Sequence, residues 1–202
     1  MSTNGVVNIK KLYAVSELTK IGYDYMITID ADFAFNRNVN LFDICERFFA
    51  EKIIIGTFTN HELLQRINVQ CLLRFTHNPK IQSIPVNWYS WLNQPCIYKA
   101  TNVKKFFDKI GDTENFNKYT FGDFDYILYT YYLILYEDFR PYTIPNWSVE
   151  LDTFSETKVL PKNFSLEELK DVHLLVCNKY LYFWIQQNKL DNEFMMIIHL
   201  DR

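Results

Sequence analysis

The chain is predicted to be an α/β protein with a mixed, mainly parallel sheet flanked by helices. Residues 23–32 form a nearly continuous apolar run, which is typical of a strand covered on both faces. An amphipathic helical pattern follows at 41–52, and a second apolar run centred on Ile54 covers 52–58. This β-α-β order predicts two parallel strands joined by a right-handed crossover.

The other elements follow from periodicity and from capping residues. A helical stripe at 9–21 precedes the first strand, and Gly22 is suited to end it. Thr101 is predicted to cap a helix that Gly111 closes. The remaining predictions are helices at 62–75, 123–137, 165–172 and 178–190, an extended segment at 142–151 and a strand at 194–200.

Composition narrows the class of protein. The 202 residues fit a single domain over 1–202, and the net charge of −3 argues against a nucleic-acid binder that relies on phosphate contacts. No run of about 18 apolar residues occurs, so no membrane span is expected. The four cysteines form no CxxC pair, which argues against structural zinc and favours a reduced, cytoplasmic protein, in the host cytoplasm if the chain is viral.

Asp30 and Asp32 are the most informative residues of the chain. They end the first predicted strand, and side chains two apart on a strand point the same way. Two carboxylates at the carboxyl end of a buried strand suit Mg²⁺ or Mn²⁺, which usually complete their coordination with substrate phosphates. Arg37 follows closely and could contact a phosphate. The pattern indicates a metal-assisted enzyme that acts on a phosphorylated substrate.

Two segments resemble glycosyltransferases of the GT-A fold. The sequence YDYMITIDADFAF at 23–35 is similar to the DXD region of that family, and FGDFDYILYTYYLILY at 121–136 is similar to a downstream helix of its small bacterial and viral members. The resemblance implies a Rossmann-related domain that transfers a sugar from a nucleotide donor, with a UDP-sugar favoured, to a glycan or another hydroxyl acceptor. It also implies that Asp32 ligates a metal bridging the diphosphate, while Asp30 contacts the ribose or a metal-bound water.

The chain departs from the family before its Asp pair. A first strand and helix for the nucleotide base normally precede the DXD strand by several dozen residues, and here 29 residues precede Asp30. We therefore expect a shortened relative that lacks the first nucleotide-binding strand, a chain whose true start lies further upstream, or a domain that receives the missing part from a partner chain. The truncated sheet edge would also allow pairing with another chain, as in a homo-oligomer. Two alternatives stay open: a catalytically degenerate relative serving as a binding or assembly subunit, and a two-carboxylate nucleotidyltransferase or phosphohydrolase. The latter is disfavoured because no Gly-rich phosphate loop is found.

An inverting transferase needs a general base near the acceptor hydroxyl. Asp123 and Asp125 are the catalytic candidates, with Asp123 preferred, because they open the long predicted helix, although an N-cap and a first-turn charge would look the same. Glu150 is a further candidate. His199, with His173 as a second choice, could complete the metal site or could equally be a core histidine.

An aromatic and amide cluster at 88–94 suggests an acceptor-binding platform. Trp88, Trp91 and Asn93 are its predicted contacts, because aromatic faces stack on sugars and amides hydrogen-bond to them. A buried aromatic turn at the edge of the sheet would have the same sequence.

Overall fold

The computed structural model of the chain describes residues 5–29, 33–90, 96–111, 119–120, 122–153, 156–161, 174–189 and 195–199. Its helices are α1 (Gly5–Lys20), α2 (Leu41–Glu51), α3 (Glu62–Leu72), α4 (Ala100–Ile110), α5 (Asp125–Tyr136) and α6 (Lys179–Gln187). Its strands are β1 (Tyr25–Thr28), β2 (Phe33–Phe35), β3 (Ile53–Phe58), β4 (Trp88–Tyr89), β5 (Cys96–Lys99), β6 (Arg140–Thr153), β7 (Glu156–Pro161), β8 (Leu174–Asn178) and β9 (Met195–His199). Short 3₁₀ helices lie at Leu73–Phe75 and Pro79–Ser83.

The strands form three sheets with the orders β1-β5, β2-β9-β8 and β4-β3-β6-β7. The mixed α/β class is therefore confirmed, but the described ladders do not form a mainly parallel sheet. Only β3–β6 and β8–β9 pair in parallel within the described residues. In that part of the chain β1 pairs with β5 rather than with β3, whose neighbours are β4 and β6. An apolar run predicts a buried strand, but it does not identify the strand's partner.

Most of the predicted helices are present, and their ends have clear causes. The Asn40 side chain caps α2 by accepting a hydrogen bond from the backbone N–H of Phe42 at 3.1 Å. Gly22 and Gly111, which follow α1 and α4, have φ angles of +96° and +95°, a region that favours glycine. The predicted Thr101 cap is wrong, because α4 already begins at Ala100 and its N-cap is Lys99. The predicted helix at 165–172 lies outside the described residues.

Helix α5 lies at the centre of the main core. Ten of its residues are buried, and this explains why its sequence is apolar or aromatic on every face. Tyr98 of β5 packs against Tyr129 of α5, with ring centroids 4.4 Å apart, and Phe106 of α4 meets the same tyrosine edge-on at 5.2 Å. These ring contacts fix β5 and α4 against the first half of α5.

The helix begins two residues later than predicted, at Asp125, and its N-cap is Phe124. Asp123 is therefore not the N-cap, and Asp125 occupies the first turn. No described helix is both long and apolar enough to cross a lipid bilayer.

Candidate functional site

The predicted metal site lies between two described strands. Strand β1 ends at Thr28 and β2 begins at Phe33, so Asp30 and Asp32 belong to the link between them and lie outside the described residues. Strand β2 pairs antiparallel with β9, and the Cα partner of Phe33 is His199. The backbone of His199 is therefore opposite the residue that immediately follows Asp32 in the sequence.

A buried polar cluster lies beside Thr28, the last residue of β1. Thr28 pairs with Cys96 in the β1–β5 ladder, and the side chains of Tyr98 and Thr28 act against burial by lowering the pKa of the Cys96 thiol. The Tyr98 hydroxyl donates a hydrogen bond to Asp125 Oδ2 at 3.1 Å. This chain of contacts connects the N-terminus of α5 with the strand that leads to Asp30.

Asp125 has an unusual environment for a carboxyl group. It is only 2% exposed, and burial raises its pKa to about 6. The charge of Lys11, the Tyr98 hydroxyl and the first backbone N–H groups of α5 act in the opposite direction and lower the pKa. Burial likewise raises the pKa of the Cys96 thiol and of Tyr98 well above their ordinary values. The cluster therefore contains a carboxyl group that changes its charge close to neutral pH.

Asp123 has a different environment. Its side chain is fully buried and accepts hydrogen bonds from Arg74 Nε at 2.8 Å, from the backbone N–H of Thr120 at 2.7 Å and from Gln70 Nε2 at 3.1 Å. Arg74 in turn lies over the ring of Tyr119, 4.5 Å from its centroid. Because protein donors surround both carboxylate oxygens, this arrangement favours a structural role for Asp123. Sequence reasoning missed Arg74, since no spacing pattern relates it to Asp123.

Of the three residues predicted to form an acceptor platform, Trp88 lies in the described part of the chain. It is 2% exposed, and its indole N–H donates a hydrogen bond to Thr143 Oγ1 at 3.1 Å. Asn68 holds the same strand by donating to the carbonyl of Trp88 at 2.6 Å. This is the arrangement expected of the buried aromatic turn, the alternative to an acceptor platform. Trp91 and Asn93 lie outside the described residues.

The other predicted site residues are scattered. Arg37 is exposed and lies two residues beyond β2, and Glu150 lies on β6, while His173 is outside the described residues. Within the described part of the chain, no three His, Cys, Asp or Glu residues are grouped so as to hold a metal ion.

Comparison with protein-family models, with curated proteins and with solved structures found no match to this chain.

Proposed function

We propose that the protein is a metal-dependent glycosyltransferase, which moves a sugar from a nucleotide donor to a hydroxyl of a glycan or another acceptor. A UDP-sugar is the favoured donor. The observation that carries the proposal is the position of Asp30 and Asp32 in the short link between β1 and β2, with His199 on the strand paired to β2. The GT-A-like fold belongs to this proposal, and it rests on the resemblance of the segments 23–35 and 121–136.

The donor set fits a hard divalent cation. Carboxylates suit Mg²⁺ and Mn²⁺, and Mg²⁺ is commonly held by one or two carboxylates together with substrate phosphates. Asp32 and Asp30 would hold the ion, with His199 as a further ligand. When bound, such an ion neutralises charge that develops on a leaving diphosphate. Arg37, exposed just after β2, would add a positive charge near those phosphates.

Asp125 is the better candidate for the general base. A base works best when its pKa lies near the working pH, and burial gives Asp125 a pKa of about 6. Asp123 is instead paired with Arg74 and surrounded by further donors. Catalysis by Asp125 requires the acceptor hydroxyl to reach the first turn of α5.

A thermal-shift panel of nucleoside diphosphates and UDP-, GDP- and TDP-sugars, with and without Mn²⁺, tests donor binding. A ligand at about 100 times its Kd stabilises the folded state by about 2.7 kcal/mol, which is roughly 5–10 °C for a chain of this size. We expect a shift that needs both Mn²⁺ and one nucleotide and that disappears in Asp32→Asn. Asp43→Asn, at an exposed aspartate in the first turn of α2, is the matched control.

Sugar transfer and donor hydrolysis are then measured with the donor that binds. Metal-dependent transfer that Asp32→Asn abolishes and Asp43→Asn retains would support the proposal. The absence of a shift with any nucleotide would contradict it and favour an assembly subunit. Binding without transfer or hydrolysis would indicate a degenerate relative, and phosphate release without sugar transfer would indicate a phosphohydrolase.

A further inference from the structure

Among the strands that the structure describes, β1 has a neighbour on one edge, and its other edge is open. That neighbour is β5, and no described strand lies on the open side. The backbone N–H of Ala100 donates to the carbonyl of Asp24 at 2.8 Å, which makes these two residues a hydrogen-bonded pair of the ladder. Because such pairs alternate with non-hydrogen-bonded pairs, the backbone groups of Tyr25 and Ile27 point away from β5. They point to the open edge.

A second hydrogen bond agrees with this assignment. The backbone N–H of Lys99, the ladder partner of Tyr25, donates to the Tyr129 hydroxyl at 3.2 Å. It therefore points away from β1, as expected for a non-hydrogen-bonded pair. The free edge of β1 consequently offers two N–H groups and two carbonyl groups at the spacing that an added strand uses.

Helix α2 adds apolar side chains beside β1. The ring of Tyr25 contacts Phe42 and Phe49 of α2, with centroid separations of 5.8 Å in both cases. Next to these rings lies a cleft of about 420 Å³, lined by Tyr23, Asp24, Tyr25, Ile27, Leu41, Phe42 and Cys45. Tyr23 and Phe42 are each 57% exposed, which is high for large apolar side chains. An added strand would cover these side chains and satisfy the edge at the same time.

The edge is complementary to itself. If two copies pair antiparallel about Met26, Tyr25 of each copy lies opposite Ile27 of the other, and each such pair exchanges two backbone hydrogen bonds. The same register sets Tyr23 opposite Ile29, two exposed apolar residues, and Asp24 opposite Thr28, so like charges do not face each other.

The available area suits a weak association. A stable interface buries about 800 Å² on each partner. Large aromatic side chains contribute about 150–250 Å² each, so Tyr23 and Phe42 at 57% exposure would supply roughly 200 Å² per copy. Leu41, Ile29 and the strand edge add to this amount, which predicts a dimer that forms as the protein concentration rises.

We propose that the open edge of β1, together with the cleft beneath α2, is the surface through which two copies of this chain form an antiparallel dimer. The proposal does not depend on the glycosyltransferase function. It commits to a second copy because the register centred on Met26 pairs the exposed Tyr23 with the exposed Ile29 and sets no like charges opposite each other between residues 23 and 29.

The test is sedimentation velocity of the full chain over a wide range of concentrations, with three variants. Ile27→Pro removes an N–H that points to the open edge and leaves the β1–β5 hydrogen bonds in place, so it is tolerated as an edge substitution. Two symmetric hydrogen bonds are then lost, and we expect the dimer Kd to rise about 30-fold. Tyr23→Glu, at an exposed site outside the ladder, should weaken the dimer independently. Leu73→Glu, at a residue 61% exposed on another surface, should not change it.

A concentration-dependent dimer that both edge variants weaken and Leu73→Glu retains would support the proposal, as would hydrogen-exchange protection of the Tyr25 and Ile27 amides that increases with concentration. A monomer at every concentration would overturn it, and so would a dimer that is unchanged in Tyr23→Glu. Circular dichroism checks that Ile27→Pro is folded; if it is not, Tyr23→Glu decides the question.

Discussion

Arg74 Nε donates a hydrogen bond to Asp123 Oδ1 at 2.8 Å, joining the turn after α3 to the turn before α5 across 49 positions of the chain. The carboxylate is fully buried, whereas the arginine side chain is 27% exposed. The pair therefore fixes the entry of the central helix against α3 while solvent reaches only the arginine.

The first prediction concerns this ion pair. Asp123→Ala would leave Arg74 without its carboxylate partner and the backbone N–H of Thr120 without an acceptor. We expect the free energy of unfolding to fall by about 2–4 kcal/mol, somewhat less than for a fully buried pair because Arg74 is partly solvated. Urea denaturation measures this change.

The control is Asp138→Asn, at a carboxylate 81% exposed and 3.7 Å from Lys80 Nζ, where asparagine also tolerates the local φ of +58° and we expect a change within about 0.5 kcal/mol. Equal effects of the two substitutions would contradict a structural role for Asp123. Unchanged stability of Asp123→Ala together with lost sugar transfer would instead assign Asp123 to catalysis.

The second prediction concerns Asp125 and pH. Its pKa is about 6 in the folded protein and 3.8 ordinarily, so the folded state binds this proton more tightly than the unfolded state does. Its contribution to stability is therefore greatest below pH 4 and declines as the pH rises through 6. Asp125→Asn lacks this titration, and its stability relative to wild type should increase by about 2–3 kcal/mol between pH 4 and pH 7. Urea denaturation at a series of pH values gives the difference.

Tyr98→Phe tests the cause of that dependence. The Tyr98 hydroxyl stabilises the charged form of Asp125, so its removal should raise the pKa of the carboxyl further. The loss of stability in Tyr98→Phe should then be larger above pH 6 than at pH 4. A loss that is the same at every pH, or an Asp125→Asn difference that stays flat, would show that the charge of Asp125 is not coupled to folding.

Local pattern predicted the helices well and the pairing of strands poorly. The apolar stripe at 9–21 and the glycines at 22 and 111 gave correct helix positions, because periodicity and φ > 0 act over a few residues. Strand β5 was missed, since Cys96–Lys99 has no alternation and lies in an irregular aromatic region. Its pairing with β1 depends on contacts across some 70 residues, which no local pattern records.

The candidate site shows the same difference between positions that local sequence predicts and environments that depend on distant residues. Asp125 was selected for its place at the start of a helix, and the structure connects it through Tyr98 to the strand leading to Asp30. Its burial, which raises its pKa, and the opposing effects of Tyr98 and Lys11 could not be predicted, because they depend on the packing of other elements against α5. Trp88 was selected for its neighbours in sequence, but its environment is set by Thr143 on β6.

The third prediction concerns the contact between Gly56 and Trp88. A Cβ atom at position 56 would overlap the indole ring of Trp88, which lies buried against β3. Gly56→Ala should therefore force the ring to move and lower the free energy of unfolding by about 1–3 kcal/mol. Gly22→Ala is the contrasting case, because its Cβ would meet no atom within 4 Å and the cost comes only from its φ of +96°.

A double-mutant cycle separates the two causes. With Trp88→Leu in the background, the overlap is relieved and the cost of Gly56→Ala should shrink by at least about 0.5 kcal/mol, while the cost of Gly22→Ala should stay the same. Additive effects of Gly56→Ala and Trp88→Leu would show that the ring does not pack on Gly56.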